Sequence, residues 1–188
     1  MEEIKIDEQA NARTQEKNSK LLELRKRIDE KKDAMDLGID DGIKDGVVIF
    51  NAFGLRTSQS CEGHFGQDRE GTKRLSGPWI EVSADEPGVE AWFDDEELRE
   101  AVIKERNELM VRAIKLLQEF YVNRPTSFDV RLGFERVGYR FRIQNTGTEV
   151  FDELTNGLSE EEKTKKFRDY KREMDDFVAF LKSKYLNG

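Results

Sequence analysis

Residues 127–145 alternate apolar and polar side chains, and this alternation constrains the fold of the chain more than any other segment. A period of two places every second side chain on the same face of a strand, so this segment has one apolar and one polar face. A turn near residues 135–138 divides the pattern in two and predicts a β-hairpin with one buried face. The apolar set consists of Phe128, Val130, Leu132, Phe134, Tyr139, Phe141 and Ile143.

Helical spacing of apolar residues predicts four helices in the rest of the chain. They cover residues 7–35, 40–53 and 95–123, and a C-terminal segment that begins with a capping box of Ser159 and Glu162. Gly54 ends the second helix and Pro125 stops the third. The C-terminal helix has a dense apolar stripe, whereas the first helix has only Leu21, Leu24, Ile28 and Met35. Residues 1–20 are therefore expected to be a polar, frayed helical extension.

A further strand is expected near residues 78–83, where aromatic and β-branched residues follow Pro78. Together with the hairpin of residues 127–145, it predicts an α+β fold in which long amphipathic helices cover a small antiparallel sheet. Residues 21–188 are expected to form a single domain of ordinary length. The polar residues 66–77 are expected to be a mobile surface segment.

The net charge and the single cysteine limit the expected partners and compartment. The formal net charge of −8 repels nucleic acid backbones and anionic membrane surfaces, so neither is an expected partner. One cysteine excludes an internal disulfide, and the charged residues among the first seven do not fit a signal peptide. A cytoplasmic location is therefore expected, and a homodimer through the helical segments stays open.

The only cysteine and the only histidine of the chain, Cys61 and His64, lie three positions apart and are the candidate catalytic residues. They belong to the run Thr57-Ser58-Gln59-Ser60-Cys61-Glu62-Gly63-His64, which also carries a carboxylate and three hydroxyls. We expect the two side chains to share a solvent-connected pocket with Ser60 and Glu81. The candidate ligand-binding residues are Thr57, Ser58, Ser60, Gly63, Glu81 and Arg142.

Four interpretations of this run stay open. Zinc would need further ligands from Glu62, Asp68, Glu81 or a second subunit, so no tightly bound zinc is expected in the monomer. A cysteine nucleophile beside His64 is a second option, although a phosphatase loop would require arginine at the position of Gln67. A polar loop could instead bind a phosphate, a carboxylate or a nucleotide edge through hydroxyls and backbone N–H groups. The fourth interpretation is a purely structural turn.

The polar face of the predicted hairpin carries Arg131, Arg140 and Arg142. Arginine pairs bidentately with anions, so this face could form a second wall of an anion site. The same side chains could instead form cross-strand pairs with Asp129 and Glu135.

The run from Asn51 to His64, followed by Pro78-Trp79-Ile80-Glu81-Val82, resembles a group of largely uncharacterised bacterial and phage proteins. These proteins combine a helix, a T-x-x-S-C-x-G-H loop and a short strand, which implies a shared site without a known activity. More remotely, the loop is similar to the T-T-S-S-C-S-G-R loop of the Tyw3 family of wybutosine-synthesis methyltransferases. That similarity implies S-adenosylmethionine and an RNA substrate, but His64 stands where the family has arginine.

The sequence as a whole favours binding of a small anionic or nucleotide-like ligand at the loop of residues 57–64, with processing of that ligand as a further step. The residues themselves specify no cofactor. The alternative is a non-enzymatic interaction or assembly protein, in which the terminal helices contact a partner and the loop is structural. RNA modification with S-adenosylmethionine is a minor alternative implied by the loop similarity.

Overall fold

The computed structural model describes residues 2–32, 36–67, 73–84, 95–148, 150 and 157–188. The helices within these residues are α1 (Glu2–Asp29), α2 (Lys44–Ala52), α3 (Glu96–Phe120) and α4 (Glu160–Asn187). The strands are β1 (Thr57–Cys61), β2 (His64–Gln67), β3 (Lys73–Ser76), β4 (Trp79–Ser83), β5 (Leu132–Val137) and β6 (Arg140–Asn145). A short 3-10 helix, Thr146–Thr148, follows β6.

The predicted α+β fold with a small antiparallel sheet is confirmed. The main sheet has the strand order β1-β4-β6-β5, and every neighbouring pair is antiparallel. Its hairpin begins at Leu132, later than the alternation predicts, because the N–H groups of Val130 and Arg131 donate to the carbonyl of Ser127 in a turn. Phe128 is consequently 79% exposed and does not belong to the buried face.

Two segments that their polar composition predicts to be irregular contain strands. Residues 57–61, predicted as part of a loop, form the edge strand β1 beside β4. Within residues 66–77, predicted as a mobile surface segment, β3 pairs with β2 in a separate two-stranded sheet. Backbone pairing satisfies the N–H and C=O groups of these strands, so they form without the apolar alternation of a half-buried strand.

The helices follow the predicted order, with shifted ends. α1 ends at Asp29, whereas the apolar spacing predicts a helix to residue 35, and Met35 lies outside the described residues. The carboxylate of Asp95 accepts the backbone N–H of Leu98 at the start of α3. The predicted capping box of Ser159 and Glu162 is confirmed at the start of α4. Within the described part of the chain, every helix is too short or too polar to span a bilayer.

The main core lies between one face of the sheet and the helices. Ile80 and Val82 of β4 and Phe141 and Ile143 of β6 are fully buried on this face. The rings of Phe50 in α2 and Phe177 in α4 meet in a T-shaped contact with a centroid distance of 6.0 Å. α1 and α3 complete the core with Leu21, Ile28, Val102, Leu109, Ala113, Leu116, Leu117 and Phe120.

The packing of α2 against β4 sets the position of the segments on both sides of it. A Cβ at Gly46 would lie 2.7 Å from Cδ1 of Ile80, so the missing side chain permits the close approach of the helix. At the end of α2, the amide of Asn51 donates to the Thr57 hydroxyl at 2.8 Å. At its start, Lys44 pairs with Asp29 of α1 at 3.2 Å. These contacts hold α1, α2 and β1 together.

Deletion of residues 1–18 tests whether the start of α1 only decorates the core. Residues 11–20 are exposed or half-buried, and Lys17 makes a cation–π contact of 5.9 Å with Tyr185. We expect the free energy of unfolding in urea to fall by less than about 1 kcal/mol, at roughly 25 cal/mol per Å² of apolar area. Light scattering of the same truncated protein checks the assembly alternative, which loss of a dimer would favour.

Candidate functional site

A tight turn brings Cys61 and His64 together. Cys61 ends β1, His64 begins β2, and only Glu62 and Gly63 lie between the two strands. Gly63 has a φ of +84°, and a Cβ there would lie 2.9 Å from both the carbonyl oxygen of Ser76 and the nitrogen of Pro78. Only glycine fits this backbone conformation without strain. The turn therefore depends on Gly63 and is packed against the chain that leads from β3 to β4.

Asp40 joins the pair. A carboxylate oxygen of Asp40, the Sγ of Cys61 and a ring nitrogen of His64 all lie within 4.8 Å of one another. The distance from Nε2 of His64 to Oδ2 of Asp40 is 3.9 Å. Sequence analysis missed Asp40 because it lies on the link before α2, away from the run of residues 57–64. We call Asp40, Cys61 and His64 the three-residue cluster.

Backbone N–H groups hold two members of the three-residue cluster. The N–H of Gly63 donates to the Sγ of Cys61 at 3.4 Å, and the N–H of Glu62 donates to Oδ2 of Asp40 at 3.4 Å. The Glu62 carboxylate in turn accepts the N–H of Gly42 at 3.0 Å. The turn after β1 and the link before α2 are therefore joined from both sides, which fixes the position of Asp40 beside Cys61.

The surroundings of Cys61 disfavour a free thiolate. Burial raises the pKa of the Cys61 thiol, the N–H of Gly63 opposes that effect, and the negative charges of Asp40 and Glu62 add to it. The thiol of Cys61 is therefore protonated at neutral pH in the metal-free protein. A cysteine nucleophile needs the opposite environment, with nearby positive charge that stabilises the thiolate.

A cleft of about 510 Å³ lies beside β1 and shares Asp40 with the three-residue cluster. Three candidate ligand-binding residues, Thr57, Ser58 and Ser60, line this cleft. Its other lining residues are Lys31, Lys32, Leu37, Gly38, Ile39, Val47, Gln59 and Trp79. The lysines follow the end of α1, Val47 lies in α2 and Trp79 begins β4, so together with β1 four separate parts of the chain form the walls.

Glu81 and Arg142 are paired with each other. Glu81 is 1% exposed, and its carboxylate accepts from Arg142 at 3.0 Å, from Arg140 at 3.1 Å and from the Ser58 hydroxyl at 2.9 Å. Arg142 also lies 4.2 Å from the centre of the Trp79 ring. Glu81 contacts the cleft residue Ser58, and Arg142 contacts the cleft residue Trp79. Neither Glu81 nor Arg142 lines the cleft itself.

The arginines of the hairpin contact carboxylates and aromatic rings of the same chain. Arg142 approaches Glu135 to 3.7 Å, as the cross-strand interpretation predicts. Asp129 instead pairs with Lys166 of α4, and Arg131 lies 4.4 Å from the centre of the Tyr121 ring. Arg140 and Arg142 are therefore paired with carboxylates of the sheet, whereas Arg131 lies over an aromatic ring.

The chain as a whole has no match among protein-family models, curated proteins or solved structures. Its site is therefore interpreted from its own residues: a three-residue cluster of thiol, imidazole and carboxylate beside a polar cleft.

Removal of the Glu81 carboxylate tests the support behind the cleft. We expect Glu81→Ala to lower the free energy of unfolding by about 3 kcal/mol, because two half-buried guanidinium groups lose their buried partner. Glu135→Ala is the matched control, since Glu135 is 34% exposed and its loss should cost less than about 1 kcal/mol. Urea denaturation measures both values, and equal losses would contradict a special role of Glu81.

Substitution of Gly63 tests the turn. We expect Gly63→Ala to lower the free energy of unfolding by at least about 1–3 kcal/mol, because alanine is strained at this φ and its Cβ meets backbone atoms. Gly66→Ala is the control, since a Cβ at Gly66 meets no atom of the described residues within 4 Å. Thermal unfolding of the two variants compares them, and a Gly63→Ala protein as stable as the wild type would refute this view of the turn.

Proposed function

We propose that the protein binds a small anionic ligand with a planar, nucleotide-like group in the cleft beside β1. The observation that carries the proposal is the composition of the cleft wall, which combines two lysines, polar side chains of β1 and one tryptophan ring. Each of these groups recognises a different part of such a ligand.

The lysines supply positive charge for a phosphate or carboxylate group. Lys31 is exposed, and among the residues that the structure describes it has no ion-pair partner. Lys32 pairs with Asp36 at 2.8 Å, but their side chains are 56% and 81% exposed. An ion pair this exposed contributes little stability, so an anionic ligand can replace Asp36 at low cost.

Polar groups of β1 and the ring of Trp79 supply orientation. Ser58, Gln59 and Ser60 offer hydroxyls and an amide along one wall. Trp79 adds an aromatic surface, and stacking of a base on an aromatic side chain contributes about 1–3 kcal/mol. The guanidinium of Arg142 over the Trp79 ring restricts its orientation before a ligand arrives.

The size of the cleft and its neighbours agree with a small ligand. A volume of about 510 Å³ lies within the usual range for small-molecule sites. His64, whose side chain is 65% exposed, lies 3.9 Å from Asp40 of the cleft wall, and we propose that it exchanges a proton with a bound ligand. Because a single cysteine cannot form an internal disulfide, we propose the reducing cytoplasm as the compartment of the protein.

Titration of metal-free protein with a nucleoside monophosphate and with inorganic phosphate tests the proposal. We expect the nucleotide to bind more tightly, because only it reaches both the lysines and Trp79. Lys31→Ala should weaken nucleotide binding about ten-fold, the value expected for one hydrogen bond to a charged group. Lys26→Ala removes the same charge from an exposed position outside the cleft and should leave the affinity nearly unchanged. Isothermal calorimetry measures all four cases.

Two results would contradict the proposal. One is the absence of measurable binding of either anion to the wild type. The other is an equal loss of affinity in Lys31→Ala and Lys26→Ala, which would indicate nonspecific attraction between opposite charges instead of a site.

A further inference from the structure

We propose that the three-residue cluster of Asp40, Cys61 and His64 is a zinc-binding site with one open coordination position. The cluster supplies one sulfur, one nitrogen and one oxygen donor, and each of these is an ordinary zinc ligand. The thiol and imidazole favour zinc over magnesium or calcium, which prefer oxygen ligands. The inference goes beyond the cleft and its ligand and does not depend on them.

The distances fit one ion after small side-chain movements. Zinc binds sulfur at about 2.3 Å and nitrogen or oxygen at about 2.0–2.2 Å, so tetrahedral ligand atoms lie about 3.3–3.8 Å apart. The corresponding atoms of the cluster lie within 4.8 Å of one another, and the His64–Asp40 distance is 3.9 Å. The side chains of His64 and Asp40 are 65% and 40% exposed, so rotation about their side-chain bonds can close the remaining gap.

The backbone supports the donors as it does in protein metal sites. Ligand atoms in such sites are themselves hydrogen-bonded by a second layer of groups that orients them. Here the N–H of Gly63 donates to the Cys61 sulfur and the N–H of Glu62 donates to the Asp40 carboxylate. Both N–H groups belong to the same short turn, so one backbone conformation positions two zinc ligands at once.

The charge balance also fits a divalent cation. Asp40 contributes one negative charge, and the coordinated thiol contributes a second as thiolate. In the metal-free protein the thiol keeps its proton, which zinc displaces on binding. With zinc, the cluster and the ion together are close to neutral.

The structure identifies a third zinc ligand that the sequence analysis does not. The expectation of no tightly bound zinc in the monomer rests on the absence of a third ligand near Cys61 and His64. Glu81 does not fill that role because it is bonded to two arginines, and Asp68 lies outside the described residues. Asp40 fills it from the link before α2, within one chain. Three protein ligands leave a fourth position for water, which is the arrangement of catalytic zinc sites.

Metal titration of the full chain tests the inference. Protein stripped with a chelator and dialysed is titrated with zinc in competition with a chromophoric chelator, and separately with cobalt to record the absorption band of a metal–thiolate bond. We expect one equivalent of zinc and a cobalt–thiolate band. Cys61→Ser, His64→Gln and Asp40→Asn should each weaken zinc binding at least about ten-fold, and Cys61→Ser should abolish the band.

Asp41→Asn is the matched control, because Asp41 is adjacent in sequence and its side chain is 91% exposed. This variant should bind zinc as the wild type does. The inference is wrong if the wild type does not bind one equivalent, if cobalt binds without a thiolate band, or if Asp40→Asn and Asp41→Asn bind zinc equally well. Circular dichroism checks the fold of each variant, and Asp40→Asn changes a partly exposed side chain, so it decides the question even if Cys61→Ser unfolds.

The zinc experiment and the nucleotide experiment fail independently. The first uses metal without nucleotide, and the second uses nucleotide with metal-free protein. Zinc binding without nucleotide binding would leave the metal site and remove the proposed cleft ligand, and the reverse result would do the opposite.

Discussion

Burial of the two central strands under the helices is the constraint on which the rest of the structure depends. Ile80 and Val82 of β4 pair across the sheet with Ile143 and Phe141 of β6, and all four side chains are fully buried. Burying side chains of this size contributes about 1.5–3 kcal/mol each. Because β1 is an edge strand held by β4, this buried layer indirectly fixes the position of the candidate site.

The opposite face of the same strands is organised by charge. Glu81 alternates with the apolar residues of β4 and therefore points away from the main core, yet it is as buried as they are. The two guanidinium groups that surround it satisfy its charge, and one of them also lies over Trp79. A single central strand thus contributes apolar packing on one face and a buried ion network on the other.

The sequence predicts the parts of this fold that depend on apolar periodicity and misses those that depend on backbone pairing or distant contacts. The stripe of α4 and the alternation of β6 are explicit in the order of residues, because each buries one regular face. β1 and the β2–β3 hairpin carry no such alternation, since most of their side chains are polar and β2 contributes the ring of Phe65 to a small cluster with Tyr170 and Phe167. For the same reason, the unusual composition of the run from Thr57 to His64 can be recognised in the sequence, whereas its strands cannot be predicted from it.

The candidate site shows the same division. The meeting of Cys61 with His64 is a local property of the turn at Gly63, so their separation of three residues is enough to predict it. The packing of α2 on β4 brings Asp40 next to Cys61 and His64, and no local pattern in the sequence predicts this contact. The burial of Glu81 against Arg140 and Arg142 also depends on strand order, which alternation alone does not specify.

The turn at Gly63 also connects two sheets that share no strand. Cys61 is the last residue of β1, at the edge of the four-stranded sheet, and His64 is the first residue of the two-stranded sheet, so both side chains lie at the junction of the two sheets. Any ion or molecule held by both side chains joins the sheets mechanically. A change in the position of the small hairpin would then be transmitted to the edge of the large sheet through this pair of side chains as well as through the turn.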